Sequence, residues 1–346
     1  MPLRRLTLIL SFMLLLVIFP LTSSAQTSLV EITLESKIYR VVWSPDGELL
    51  AVGSSLGLQI MDSGLQLVAT PEGHSGEVGF ISWKPDSTGF ATGARDGTIR
   101  IWSRNLTTNE VVLERTLYVG GADRFVNPVA WSPNGLYLAE MIERQPRQFN
   151  ATLGKIRIWD TADWTSEIYE SDYQFPWIMM EWSPDSRQVL AVANACVSVE
   201  PLCLDLPAIF SLDIATGTFS TLFVSGAIPA MDWQGDRLAL STPEIEIYDT
   251  QTMEQVNRFS ILNELGDGYK VIKWNTDETV LIGVFIGQVH FIDANTGEIL
   301  VRLLSQDEIV WMDWYPAGSL LAIARENGRL ELWDTSEVPV AKPLHL

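Results

Sequence analysis

Apolar and polar residues alternate along this chain in short runs separated by turn chemistry. The stretch from Ile81 to Ser103 shows the unit. A strand-type run ends at Trp83 and meets Lys84-Pro85-Asp86-Ser87. A second run meets Arg95-Asp96-Gly97, and a third, Thr98-Ile99-Arg100-Ile101-Trp102, alternates with a period of two. That period belongs to a half-buried strand. Proline presets φ and glycine accepts φ > 0, so the breaks read as turns. The unit predicts strand, turn, strand, turn, strand, and no convincing helical pattern interrupts it.

The unit recurs seven times, around Trp43, Trp83, Trp131, Trp182, Trp233, Trp274 and Trp314, at separations of 40, 48, 51, 51, 41 and 40 residues. Openings such as Val41-Val42-Trp43-Ser44-Pro45-Asp46-Gly47 and Val129-Ala130-Trp131-Ser132-Pro133-Asn134-Gly135 repeat, as do third-strand endings such as Arg157-Ile158-Trp159-Asp160 and Glu331-Leu332-Trp333-Asp334. A repeat of about 40–45 residues carrying four strands predicts a β-propeller blade. The expected fold is all-β: a seven-bladed propeller of four-stranded antiparallel blades over residues 28–336. The seventh repeat stops after its third strand near Asp334, and residues 337–346 form a short tail that is a poor strand. The strand-like Thr27 to Glu35 is therefore expected to join the last blade, closing the ring and removing an open edge.

The chain resembles the WD-repeat β-propeller family over roughly residues 28–336. The second repeat matches best, with Gly73-His74 before its first strand and Thr92, Asp96 and Trp102 at the family's spacing. The resemblance implies that His74, Thr92, Asp96 and Trp102 form a buried hydrogen-bonded tetrad. The other repeats lack the Gly-His pair, and the tetrad tryptophan becomes Met61, Leu212, Tyr248 and Ile292 in four of them, while Trp159 and Trp333 keep it. The Trp-Ser-Pro-Asp openings also occur in exported TolB-like propellers, which typically have six blades and lack the Trp-Asp ending. Seven openings and two Trp-Asp endings favour the WD-repeat reading.

The first 25 residues read as a secretory signal. Arg4 and Arg5 precede an apolar stretch from Leu6 to Pro20, and small residues lead to a cut after Ala25. An uncleaved anchor is the alternative, but the apolar stretch is shorter than the roughly 20 residues a span needs. The expected location is extracytoplasmic, with no membrane contact after cleavage. The chain carries a net charge of −20, and losing two arginines makes the mature chain more acidic. That disfavours nucleic acid and anionic membranes as partners. Cys196 and Cys203 fall inside one repeat. They read as a loop disulfide or as two free thiols, and two residues alone make no zinc site.

Signals for catalysis are weak, and neither metal nor cofactor is expected. The three histidines are His74, His290 and His345; His74 belongs to the implied tetrad, and His290 is expected on a lateral strand surface. No Gly-x-Ser-x-Gly elbow or phosphate-cradling loop appears. Gly266-Asp267-Gly268 and Asn295-Thr296-Gly297 read as turns, with calcium held beside Glu264 and Asp293 as the rival. The residue before each first-strand tryptophan is usually small, yet Glu181, Asp232 and Asp313 are acids and Lys273 a base. They read as a salt-bridged channel set around Lys273, or as a site for a cation or polar ligand.

Two enlarged loops, 141–154 and 193–207, join second to third strands in adjacent repeats. They are expected on the face that also carries the lead-in aromatics Tyr39, Phe125, Tyr173, Phe175, Trp177, Tyr269 and Trp311. Arg144, Arg147, Phe149, Tyr173, Phe175, Trp177 and Trp311 are the candidate binding face. The alternative is that several of these aromatics plug gaps between blades. The expected function is a non-enzymatic protein-interaction scaffold, acting as a monomer on another protein. A small-ligand or carbohydrate binder, a TolB-like envelope propeller, and a hydrolase or lyase are the alternatives.

Overall fold

The computed structural model describes residues 28–118, 128–142, 153–174, 179–199, 202–224, 230–260, 268–285, 287–304, 307–336 and 338; at 153–154, 172–174, 193–199, 202–207 and 223–224 it describes the backbone alone. The described residues form twenty-eight strands in seven four-stranded sheets. Blades one to six cover 38–69, 78–118, 129–174, 179–224, 230–260 and 271–304 in simple up-and-down order. Blade seven takes three strands from 309–334 and its outer strand, Ser28–Thr33, from the other end of the chain. That strand runs antiparallel to Arg329–Asp334, with Val30 opposite Leu332 and Thr33 opposite Arg329. The ring thus closes as the sequence predicts.

Burial follows from position in the blade. Second strands such as Leu49–Ser54 and Gly89–Ala94 are buried at every residue, because neighbouring blades cover both faces; hence their unbroken small and apolar runs. Outer strands such as Val111–Tyr118 have water on one side and are largely exposed. The core lies between blades: Leu49 and Ile60 of blade one pack with Val78, Trp83, Phe90 and Trp102 of blade two.

The Ser-Pro-Asp turns are held by their own side chains. Ser44 Oγ donates to Asp46 Oδ1 at 2.6 Å and accepts from Leu49 N–H at 3.0 Å. The fourth turn position is left-handed, at φ 73° for Gly47 but 60° for Ser87 and 59° for Ser186. Those serines use the strained geometry: Ser87 Oγ accepts from Asp46 N–H and Ser186 Oγ from Asn134 N–H, each at 3.0 Å. Each serine therefore fastens its turn to that of the preceding blade, a role glycine cannot fill.

The expected loop 193–207 is instead a hairpin arm. The strands Gln188–Val199 and Leu202–Asp213 stay paired from Gln188↔Asp213 out to Val199↔Leu202. Among the described residues the outer strand pairs as far as Ala208↔Val224, and the two-stranded ladder of 194–199 with 202–207 continues beyond that pair. Alternating β-branched and leucine positions keep the ladder going where a loop is expected. Residues 143–152 lie outside the described residues, as do the proposed signal at 1–25 and all of the tail except Val338.

Candidate functional site

In each inner strand the tryptophan faces the preceding blade. Trp43 packs with Ala322 and Leu332, and Trp182 with Ala139 and Ile158. Strand alternation then turns the residues one and three places earlier towards the following blade, where the inner edges converge on the channel. Two tiers result.

The inner tier contains the acids singled out from sequence, and each serves as a fastener between blades. Glu181 Oε2 accepts from the Trp233 backbone N–H at 2.8 Å, Asp232 Oδ2 from Trp274 N–H at 2.7 Å, and Asp313 Oδ2 from Trp43 N–H at 2.8 Å. Ser82 does the same for Trp131 at 2.9 Å. Where this residue is apolar, the indole takes over: Trp83 Nε1 donates to Val42 O at 3.0 Å and Trp182 Nε1 to Ala130 O at 2.9 Å.

Lys273 is bonded to Asp232 and lies 3.8 Å from Glu181. Burial alone would lower the lysine, but Asp232, Glu181 and Asp313 outweigh it and raise its pKa. Burial pushes Glu181 up despite Lys273, and raises Asp313 to about 6. The acids are thus spread around Lys273 and the tryptophan amides. Among the described residues, no three His, Cys, Asp or Glu side chains gather as a metal site.

The mouth tier was not singled out from sequence. It consists of Arg40, Phe80, Pro128, Met179, Ala230, Val271 and Trp311, which surround a cavity of about 70 Å³ with Glu181 and Lys273 at its floor. In blades one, two and seven a bulge precedes this position and aims it: the ladder shifts between Ile38 and Arg40, Val78 and Phe80, and Ile309 and Trp311. Of the predicted face residues, Trp311 belongs here, half-buried beneath Arg40. Arg144, Arg147, Phe149, Phe175 and Trp177 lie outside the described residues, as does Phe125. Tyr173 is placed only by its backbone, in the outer strand Ser166–Gln174.

Tyr269 is not a face residue. It is buried, and its hydroxyl meets His290 Nδ1 at 2.6 Å. His290 likewise departs from the expected lateral surface. It is buried and pairs with Gln288 through Nε2 at 3.0 Å. The cause is Gly283, opposite His290 in the ladder: any side chain there would strike the Tyr269 ring, whose nearest atom lies 2.6 Å from the place of a Cβ.

In blade two the structure brings His74, Thr92, Asp96 and Trp102 together. Trp102 Nε1 donates to Thr92 Oγ1 at 2.8 Å, His74 Nε2 meets the same oxygen at 2.7 Å, and His74 Nδ1 meets Asp96 Oδ2 at 3.0 Å. Burial would raise Asp96, but Thr98, the Ser75 N–H and His74 hold it below the usual carboxylate range. Other blades build different polar clusters in the same place. In blade three Glu140, fully buried opposite Arg157, accepts from Arg157 and Trp159 Nε1, both at 3.1 Å. In blade seven buried Glu331 accepts from Arg325 and from Trp333 Nε1, each at 2.8 Å.

Cys196 sits opposite Asp205 and Cys203 opposite Ser198, a diagonal offset of the two cysteines; their side chains lie outside the described set. In the arm the pairs Ala195↔Leu206, Val197↔Leu204 and Val199↔Leu202 alternate with more polar ones.

The family profile described as "WD domain, G-beta repeat" matches residues 29–58 and 65–103. Protein HIR1 of Cryptococcus neoformans is 28% identical over 182 residues, which is 46% of this chain and 19% of that protein. The protein transport protein sec13 of Emericella nidulans is 29% identical over 206 residues, 51% of this chain and 62% of it. The probable cytosolic iron-sulfur protein assembly protein Ciao1 of Culex quinquefasciatus is 36% identical over 96 residues, 28% of this chain and 25% of it. The chain therefore spans less than two thirds of the length of each of these relatives. Seven four-stranded blades, a last blade completed by the first strand, and WD repeats matched over residues 29–58 and 65–103 support a WD-repeat protein.

Proposed function

We propose that this propeller is an exported, non-enzymatic scaffold that captures another protein on the face carrying the blade-four arm. The observation that carries the reading is the arm itself. Its ladder continues beyond the Ala208↔Val224 pair, and its register groups Ala195, Val197, Val199, Leu202, Leu204 and Leu206 in apolar pairs. A two-stranded ribbon is marginal alone in water, so its apolar pairs call for a cover. WD-repeat propellers generally act as protein-interaction scaffolds, which fits a rigid ring presenting variable loops. Export rests on the basic, apolar and small-residue segments of residues 1–25.

The carbohydrate alternative loses ground at the channel. The cavity of about 70 Å³ is ringed mainly by apolar side chains, with Arg40, Glu181 and Lys273 as its charged members, which gives a sugar's hydroxyls few partners. Affinity capture from the native envelope, with the intact chain and with residues 194–207 replaced by a two-residue turn, tests the reading. Capture is expected with the first and not with the second, at equal melting temperature. Equal capture by both would move the surface elsewhere. N-terminal sequencing is expected to begin at Gln26; recovery of the full-length chain in membranes would defeat export.

A further inference from the structure

Arg40 is the one charged member of the mouth tier. Its guanidinium carbon lies 3.6 Å from the Trp311 ring centroid and 4.7 Å from that of Phe80. Its Nε is shut off from solvent and donates to no described acceptor. Asp313 and Glu181 act on it through their fields, and among the described residues the hydrogen bonds they accept come from tryptophan amides and not from Arg40. An arginine stays charged. Here it stays so with its Nε–H unspent among the described residues, its plane held between two rings, beside a cavity with room for a few heavy atoms.

We propose that the channel mouth is a carboxylate-binding site, in which Arg40 receives one carboxylate of the partner. The guanidinium fork matches a carboxylate in geometry and charge. Aromatic faces hold the fork ready, so little ordering is left to binding. The apolar collar of Phe80, Met179, Val271 and Trp311 lowers the local dielectric and strengthens the pair. The net charge of −20 repels anions at long range. Recognition therefore rests on contact, and favours a carboxylate flanked by apolar groups that fill the collar. The inference rests on the scaffold reading and names the chemistry its partner presents. The carboxylate has two sources, an acidic side chain or a chain terminus.

The test follows the Arg40 Nε–H resonance in arginine-labelled mature protein, assigned with Arg40→Lys. Acetate, acetamide and chloride are titrated at constant ionic strength. N-acetyl-Phe-Asp-Phe-amide and N-acetyl-Phe-Ala-Phe with a free terminus follow. A saturable shift is expected with acetate and none with acetamide or chloride. At least one peptide is expected to bind about tenfold tighter than acetate, about 1.4 kcal/mol, and calorimetric titration should show that gain lost in Arg40→Lys and Arg40→Gln. The peptide that saturates identifies the source. A shift linear in acetate, one matched by chloride, or peptide affinity unchanged in both variants overturns the proposal. The acetate titration itself is read on the parent protein, and either Arg40→Lys or Arg40→Gln serves for the assignment. The capture experiment with the arm variant fails or succeeds independently, so loss of the scaffold reading and loss of this site are distinguishable.

Discussion

At the residue scale, one place in the blade is filled by different polar chemistry in different repeats, and each solution obeys the same demand that buried polar groups be paired. In blade two His74 spans Thr92 and Asp96. His74→Ala strips Asp96 and Thr92 of a partner, and should cost about 1–3 kcal/mol in chemical denaturation. Equal stability would mean that the cluster contributes nothing. In blade six burial, with Arg302 adding to it, holds His290 down to about 4 from its ordinary 6.5. The native chain then binds fewer protons than the unfolded one, so the contribution is complete above pH 6.5. It is lost as pH falls from about 6.5 to about 4. The melting temperature should fall across that window, and His290→Gln should flatten the fall. A histidine titrating near 6.5 by NMR would contradict this burial.

At the element scale, strands and turns were legible because tryptophan, proline and aspartate repeat in register with them. The ring closure was legible too, since Thr27 to Glu35 has no repeat of its own and the last repeat lacks one strand. Deleting residues 28–36 should lower the thermal midpoint of the whole domain in one cooperative step, because Arg329–Asp334 is left as an open edge. An unchanged midpoint and near-UV spectrum would exclude the closure. The channel mouth was not legible: Arg40, Phe80 and Trp311 share no residue type, and bulges break the period of two just before them. Tyr269 looked like a surface aromatic because its burial depends on a glycine fourteen residues away, Gly283. The arm looked like a loop because cysteines and prolines interrupt a run whose alternation is nevertheless that of a strand.

At the scale of the whole molecule, stability lies in the seams between blades, and the seams differ. Between blades one and two buried Arg104 bonds Asp46 at 2.6 Å and Glu48 at 2.7 Å. The seam of blades seven and one has Asp313 on the Trp43 amide, and that of five and six has Asp232 on the Trp274 amide. The seam of six and seven has no such fastener among the described residues. Lys273 stands at the acceptor position with nothing to accept with, and is turned back to Asp232. An open cleft of about 470 Å³ lies beside Trp314. Apolar packing of Phe291 and Ile282 against Leu321 and Met312 remains. The exposed Lys270–Glu308 pair at 2.8 Å adds little, since solvent screens such pairs. The ring should therefore loosen first here. In hydrogen exchange read by mass spectrometry, Ile309–Trp314 should exchange faster than Ile38–Trp43 and Val271–Trp274. Asp313→Ala, which removes the fastener of the next seam, should raise exchange in Ile38–Trp43 towards the level of Ile309–Trp314. Equal protection of the three inner strands in the parent chain would show that packing alone sets the strength of each seam, and that the amide fasteners fix register without adding stability.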